Sequence, residues 1–157
     1  VLVVAKSDRA YLELIQMFKN RIVEKYYLAL VEGQWRGGSQ QVELAIQRNP
    51  KIPCRMKVST IGGKSALTEI EPLGIGDAYS LLLVKPRTGR THQIRVHLSY
   101  LRWPLVGDRV YGGETEILKR PFLHAFWLEF NNREKQVKYI SELADDLKEH
   151  LKQYEEG

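Results

Sequence analysis

Apolar residues recur along the chain with two different periods, which predicts both helices and strands. Over residues 7–20, apolar side chains starting at Tyr11 fall at i, i+3, i+4 and i+7, the spacing of one helical face. Ser7 stands where it can cap the start of this helix. Residues 22–32 are largely apolar on both alternating faces, a pattern that is typical of an interior strand.

The other apolar runs are short, and they do not alternate regularly between helix and strand. Strands are predicted at residues 1–5, 41–46, 66–72, 79–85 and 122–130. Helices are predicted at 92–101 and from Ser141 onward, where leucines recur on one side. Because strands outnumber helices, we predict an α+β fold in which a mixed, mainly antiparallel sheet is flanked by a few helices. Residues 1–157 show no internal repeat and are predicted to form one domain.

Composition and charge narrow the functional classes. The chain has no apolar run of about 20 residues that could cross a bilayer and no secretory signal, and its single cysteine, Cys54, cannot form an internal disulfide. We therefore expect a cytoplasmic domain without a membrane partner. The net charge of +5 favours a polyanionic partner such as nucleic acid. A mildly basic protein that binds no nucleic acid remains compatible with the same charge.

The densest informative stretch is KPRTGRTHQIRVHLSYLRWPLVGDRVYGG, residues 85–113. A strand is predicted to end at Lys85, and a glycine-containing loop leads to a helix that starts near His92. Exposed backbone N–H groups, a helix N-terminus and the charges of Arg87, Arg90 and Arg95 would suit a phosphate or a carboxylate. The residues alone equally allow a basic loop whose arginines are only solvated.

Four segments together identify a family. TGRTHQIRVHL, PLVGDRVYGG, VEKYYLALVEG and LHAFWLEF resemble, in order and spacing, the RluA family of RNA pseudouridine synthases, over residues 1 to about 130. The resemblance implies the pseudouridine synthase catalytic fold and the isomerisation of specific uridines in structured RNA. It favours ribosomal RNA over transfer RNA as the substrate and implies that no cofactor is needed. We also expect a monomer.

The resemblance assigns roles to particular residues. Tyr27 is expected to pack against a flipped-out target base and to help move the C5 proton, although its strand position alone suggests a core aromatic. Arg95 is expected to pair with the catalytic aspartate and to keep it ionised. Leu98, one turn later, is expected to line the uracil pocket. Four further residues are expected to shape the loop and approach the RNA: Arg90, Thr91, His92 and Gln93.

The nucleophilic aspartate itself is missing from the chain. In the family it lies in a motif written HRLDxxTSG, immediately before a strand like VLVVAK, so it would precede Val1. Asp8 lies beyond that strand, and Asp108 matches a loop position that is expected to be structural. We therefore expect the domain to be N-terminally incomplete and the chain alone to be inactive.

Two other functional classes stay open. One is a non-catalytic, basic RNA-binding relative that lacks the aspartate, and the other is a basic structural domain such as a ribosome-associated protein. A metal site is not predicted, because the histidines and the cysteine show no zinc-binding spacing. These residues are His92, His97, His124, His150 and Cys54.

Overall fold

The computed structural model describes residues 1–131 and 135–155, and in these it forms a six-stranded sheet, a two-stranded hairpin and three helices. In chain order the elements are α1 (Asp8–Lys19), β1 (Glu24–Glu32), β2 (Gln40–Glu43), β3 (Ile46–Arg48), β4 (Met56–Val58), β5 (Leu67–Ile75), β6 (Tyr79–Pro86), α2 (Gln93–Tyr100), β7 (Leu123–Asn131), β8 (Gln136–Ile140) and α3 (Asp145–Glu155). The strands of the large sheet lie in the order β2-β5-β6-β1-β7-β8. The predicted α+β class is confirmed. The pairs of described strands are all antiparallel, so the sheet is not mixed.

The core lies on both faces of the central strand β1. On one face, Ala29 and Val31 are fully buried and pack with Leu98 of α2. On the other face, Leu30 packs with Leu147 of α3. Both faces of β1 are therefore covered, as the unbroken apolar pattern of residues 22–32 predicted.

Helix α1 begins as predicted, but its apolar face is not covered by the described residues. The hydroxyl of Ser7 accepts a hydrogen bond from the backbone N–H of Ala10 at 3.2 Å, so Ser7 is the cap. No residue of α1 is buried, and Tyr11, Ile15 and Phe18 are each more than two-fifths exposed. The periodicity therefore predicted the helix correctly without showing what its apolar face contacts.

Residues 1–5 do not form the predicted strand. The two neighbours of β1 in the sheet are β6 and β7, so no open edge lies beside the central strand for this segment to pair with. The segment lies near Tyr27 and Ala125 instead, and the Val1 nitrogen donates to the Ala125 carbonyl at 2.6 Å. Leu2 and Val4 point to solvent. The short apolar run alone did not distinguish between these two placements.

Smaller differences occur near the C-terminus and in the middle of the chain. The last helix begins at Asp145, because the Ser141 hydroxyl donates to the Glu142 carbonyl and does not cap the helix. The short strands β4 and β8 were not predicted. Within the described ranges, the helices are too short and too polar to cross a bilayer.

Candidate active site

The loop between β6 and α2 ends at a residue with a strained backbone. His92 precedes the first residue of α2 and has φ +54°, in the left-handed region that residues with a Cβ rarely adopt. Its Nδ1 is hydrogen-bonded to the Tyr111 hydroxyl at 2.8 Å. Burial lowers the pKa of His92, and the nearby charge of Arg95 lowers it further, so the neutral imidazole is favoured.

The side-chain amide of Gln93 fixes the shape of this loop through four hydrogen bonds. Its amide nitrogen donates to the Leu67 carbonyl and to the Thr68 hydroxyl, both at 2.9 Å. Its amide oxygen accepts from the Thr88 hydroxyl at 2.6 Å and from the Arg90 backbone N–H at 3.0 Å. Both donors and both acceptor sites of the amide are therefore used within the protein. Gln93 orders the loop and has no hydrogen bond left for a ligand.

Arg95 forms a bidentate ion pair with Asp108. Nε and Nη2 of the guanidinium donate to Oδ2 and Oδ1 of the carboxylate at 2.8 and 2.7 Å. The Asp108 side chain is 1% exposed and that of Arg95 is 18% exposed. The hydrogen bonds to Asp108 are the largest cause that raises the pKa of Arg95, so its charge is permanent. Nη1 of Arg95 makes no hydrogen bond to the described residues, so it can donate to a further acceptor.

Tyr111 joins Arg95 to the β3–β4 hairpin. The guanidinium carbons of Arg95 and Arg55 lie 4.9 and 5.3 Å from the centre of its ring, at cation–π distance. Its hydroxyl also accepts a hydrogen bond from the Met56 backbone N–H at 2.9 Å. The ring is 4% exposed, so these contacts fix its position in the fold.

A cavity of about 280 Å³ lies between β1 and the start of α2. We call it the α2 cavity and define it by Lys25, Tyr27, Arg90, His92 and Arg95, which contribute to its lining. Its volume is near the lower end of the range for small-molecule sites, so it suits one small ligand. Lys25 and Tyr27 reach it together because they are two residues apart on one face of β1.

Comparison with known proteins decides the family. A sequence model described as RNA pseudouridylate synthase matches residues 1–100. The chain belongs to this family. It is 40% identical to ribosomal large subunit pseudouridine synthase D of Borreliella burgdorferi over 145 aligned residues. This alignment covers 90% of the chain and 44% of the Borreliella protein. It is also 39% identical to an uncharacterized RNA pseudouridine synthase of Mycobacterium bovis over 159 aligned residues. This alignment covers 97% of the chain and 51% of the Mycobacterium protein.

Solved structures of pseudouridylate synthase proteins share the fold. Human RNA pseudouridylate synthase domain containing 1 aligns with a TM-score of 0.76 and 35% identity, over 89% of this chain and 62% of that one. Human RNA pseudouridylate synthase domain containing 4 aligns with a TM-score of 0.78 over 96% of this chain and 69% of that one; at 22% identity it supports the fold alone. The resemblance to the RluA family is confirmed, and the chain spans about half the length of the curated relatives it matches.

The structure brings most of the residues that the pseudouridine synthase resemblance singled out to the α2 cavity. Tyr27 and Arg95 both line it, as do Arg90, His92 and Gln93. Burial raises the pKa of Tyr27, so its phenol stays protonated at neutral pH. Arg90 also donates from Nε to the Ser65 carbonyl at 2.9 Å.

Leu98 and Thr91 lie elsewhere. Leu98 is fully buried in the core and is not among the residues that line the α2 cavity. Ile94, four residues earlier on the same face of α2, packs in the same core cluster and also lines the α2 cavity. Thr91 is exposed at the outer side of the loop and does not line the cavity.

Two residues of the site were missed at the sequence level. Lys25 lines the α2 cavity, and burial lowers its pKa, an effect that the neighbouring charge of Glu24 partly offsets. Its position two residues before Tyr27 was the available signal, because alternate residues of a strand share a face. Tyr111 lies in the VGDRVYGG segment, but its contacts with Arg55 and His92 depend on the tertiary fold.

The histidines have partners within the protein rather than around a common centre. His97 is bonded through Nδ1 to the Thr68 hydroxyl at 2.9 Å and through Nε2 to the Leu44 carbonyl at 3.0 Å. His124 approaches the Ser141 carbonyl at 3.3 Å. Residues 1–131 and 135–155 contain no cluster of three side chains able to hold a metal ion.

Proposed function

We propose that this chain provides the base-binding side of an RNA pseudouridine synthase site that isomerises specific uridines in structured RNA. The observation that supports this most directly is that Tyr27 and Arg95, from elements far apart in sequence, line one small cavity. The name of the Borreliella relative refers to the ribosomal large subunit, so we propose ribosomal RNA before transfer RNA as the substrate. The net charge of +5 suits such a polyanion.

The α2 cavity would receive a uridine that has been turned out of the RNA stack. An aromatic face such as that of Tyr27 stabilises a stacked base by about 1–3 kcal/mol. Because the pKa of Tyr27 is raised, its phenol would act as a neutral hydrogen-bond and proton-transfer group rather than as a phenolate. His92 and Arg90 stand at the same cavity and would contact the sugar or its phosphate.

We propose that the attacking aspartate comes from residues outside these 157. Asp108 is 1% exposed and holds Arg95, so it is not free to attack. Asp8 is exposed at the start of α1 and does not line the α2 cavity. The free Nη1 of Arg95 would orient the incoming carboxylate and keep it ionised.

The chemistry then needs only these groups. The carboxylate attacks C1′ of the nucleoside and forms an ester bond to it as the bond between C1′ and the base N1 breaks. The base turns within the cavity, and C5 displaces the carboxylate as the bond between C1′ and C5 forms, which restores the free carboxylate. The proton then leaves C5 and one is gained at N1, a transfer that the Tyr27 hydroxyl would relay by accepting one proton as it releases its own. The atoms and electrons of the uridine balance without an oxidant or an external group. The residues of β1 and of the start of α2 that line the cavity would also hold the released base near the sugar.

The test is tritium release from RNA that carries tritium at uridine C5, with the protein expressed together with the coding sequence upstream of Val1. Unmodified ribosomal and transfer RNA serve as alternative substrates. We expect turnover to be lost in Arg95→Gln/Asp108→Asn, which replaces the buried ion pair by two neutral amides and so avoids an unpaired buried charge. RNA binding should largely persist. Arg120→Gln/Asp146→Asn removes a similar bidentate pair at the surface and is the matched control.

Tyr27 provides a second arm of the same test. Tyr27→Phe keeps the ring and removes the hydroxyl, so RNA affinity should stay within about twofold while turnover falls about 100-fold, the lower range for loss of a proton-transfer group. Tyr27→Ala should lose both. If the unmodified protein binds RNA but releases no tritium, the chain is a non-catalytic RNA-binding relative. Full turnover in the Arg95 variant would rule out the role given to Arg95.

A further inference from the structure

A second concave surface lies on the other side of α2, between this helix and the β3–β4 hairpin. It has a volume of about 640 Å³, and we call it the hairpin groove. The side chains that define it are Arg55, Lys57, Tyr100, Arg102 and Tyr111. Three of the five are cationic, and none of the described residues that line the groove is acidic. Its walls therefore present positive charge to anything that enters.

The cations of the hairpin groove are not neutralised by the protein. Arg55, Lys57 and Arg102 take part in none of the ion pairs formed among the described residues. Lys85 and Arg87, at the end of β6, are in contrast held by carboxylates of neighbouring strands. An anion would thus find available positive charge in the hairpin groove and paired charge at the end of β6.

An aromatic side chain accompanies these charges. Tyr100 lines the hairpin groove at the C-terminal end of α2, and 54% of it is exposed. An exposed aromatic ring beside unpaired cations is the combination that binds single-stranded nucleic acid, because bases stack on the ring while the cations contact phosphates. A purely electrostatic surface would not need the ring.

The hairpin groove and the α2 cavity share a wall. The Tyr111 ring contacts Arg55 on the groove side and Arg95 on the cavity side. Its hydroxyl is bonded to His92, which lines the cavity. A nucleotide chain with one base in the α2 cavity could therefore continue past Tyr111 into the hairpin groove.

We propose that the hairpin groove binds the sugar–phosphate backbone of the single-stranded RNA next to the target uridine. Arg55, Lys57 and Arg102 contact phosphates, and Tyr100 stacks on a neighbouring base. This inference rests on the proposed function, since it takes the α2 cavity as the place of the target base. It adds a site on the β3–β4 hairpin and the C-terminal end of α2.

The first test measures binding of the 157-residue chain to a fluorescein-labelled single-stranded oligouridylate at several salt concentrations. Each phosphate contact to a single strand changes the slope of log K against log salt by about 0.7, so two contacts correspond to about 25-fold in affinity at 0.1 M salt. We expect Arg55→Gln/Lys57→Gln to lose about 25-fold and its slope to fall by about 1.4. Lys148→Gln/Lys152→Gln removes the same charge from α3 and should change affinity less than about twofold.

The second test isolates the aromatic contact. Tyr100→Ala should weaken binding about fivefold or more, with little change in the salt slope, because stacking does not release counterions. Tyr139→Ala is the matched control, since Tyr139 is 52% exposed on β8 and lies away from the groove. Both positions are exposed, so neither variant removes a core contact.

The outcomes separate this inference from the proposed function. In the tritium-release assay, the Arg55/Lys57 variant should show its loss in KM rather than in kcat. If the groove variants bind oligouridylate like the unmodified chain and with the same salt slope, the hairpin groove is not an RNA site, whatever the turnover. If equal losses occur in the α3 control, binding is only nonspecific attraction to net charge, and the inference is again overturned. Absence of tritium release with groove-dependent binding contradicts the proposed isomerisation alone.

Discussion

Arg95 is held by both carboxylate oxygens of Asp108, thirteen positions later in the chain, at 2.7 and 2.8 Å. A second arginine–aspartate pair, Arg120 with Asp146, has nearly the same bidentate geometry. The two pairs differ in burial: Asp108 is 1% exposed, whereas both side chains of the second pair are more than two-fifths exposed. The two ion pairs thus have the same hydrogen-bond geometry but differ in solvent exposure. Comparing variants of the two pairs therefore measures how much burial changes the contribution of an ion pair to stability.

We expect Asp108→Asn to destabilise the protein by about 2–3 kcal/mol, because it leaves a buried guanidinium without its counter-charge. The remaining exposure of Arg95 and the amide oxygen of the asparagine keep the loss below the upper range for buried pairs. Asp146→Asn should have no measurable effect, since exposed pairs are screened by water. Urea unfolding at neutral pH measures both. Equal losses in the two variants would contradict the assignment of Asp108 as the structural anchor of Arg95.

We expect Gln93→Ala to reduce the free energy of unfolding by about 2–4 kcal/mol. The change removes the acceptor of the Thr88 hydroxyl and of the Arg90 N–H in a largely buried region. The Leu67 carbonyl loses one donor but keeps the backbone N–H of Arg87. Gln41→Ala is the control, because the Gln41 amide makes one exposed hydrogen bond to Glu69. That variant should stay within about 0.5 kcal/mol of the unmodified protein. A loss that small at Gln93 would mean that the loop is ordered without it.

We expect Arg102→Gly to stabilise the protein by about 1 kcal/mol. Arg102 has φ +76° just after α2, its N–H donates to the Ser99 carbonyl, and the next N–H, of Trp103, donates to the Leu98 carbonyl. This is the Schellman arrangement, in which glycine avoids the steric cost of a Cβ. Arg102→Ala removes the same charge but keeps the Cβ, so it should bring no gain. The midpoint of urea unfolding decides between the two.

We expect the stability of the fold to fall as the pH drops below about 6.5, the ordinary pKa of histidine, with His97 as one cause. Burial lowers the pKa of His97, and its bond to the Leu44 carbonyl only partly offsets this effect. Since a carbonyl can only accept, Nε2 carries the proton and Nδ1 accepts from Thr68. The second proton of the His97 ring, the one that makes the imidazole cationic, therefore binds more readily in the unfolded chain than in the folded one.

The measurement is a titration of the His97 ring signal by NMR, together with urea unfolding at pH 7.5 and 5.5. The loss of stability between the two conditions should be smaller in His97→Gln than in the unmodified protein. Both proteins contain the same carboxylates. Subtracting the stability loss of one protein from that of the other therefore removes the carboxylate contribution and leaves that of His97. A His97 signal that titrates at or above the ordinary value would contradict the expected direction.

Local patterns predicted the elements whose cause is local. The Ser7 cap and the apolar spacing after it were enough for α1, and two apolar faces were enough for the central position of β1. These features depend on residues within one turn or one strand of each other.

Features that depend on tertiary contacts were not predicted. The sequence offers several acidic residues for Arg95, and only the fold places Asp108 beside it. Leu98 and Ile94 share a helical face, but the pattern does not show that Leu98 is fully buried in the core while Ile94 also lines the α2 cavity. The strand β8 has five residues and is largely exposed, so its few apolar side chains form a pattern too short to predict a strand.

The central position of β1 has a consequence for synthesis on the ribosome. Its partner β6 begins about 50 residues after it, and its other partner β7 begins roughly 90 residues after it ends. At translation rates of about 5–20 residues per second, β1 would wait on the order of 5–20 s for its second neighbour. During that interval a strand that is apolar on both sides has an unpaired edge, the kind of surface that aggregates or recruits a chaperone. Nascent chains that stop before β7 should therefore need protection that the finished domain does not.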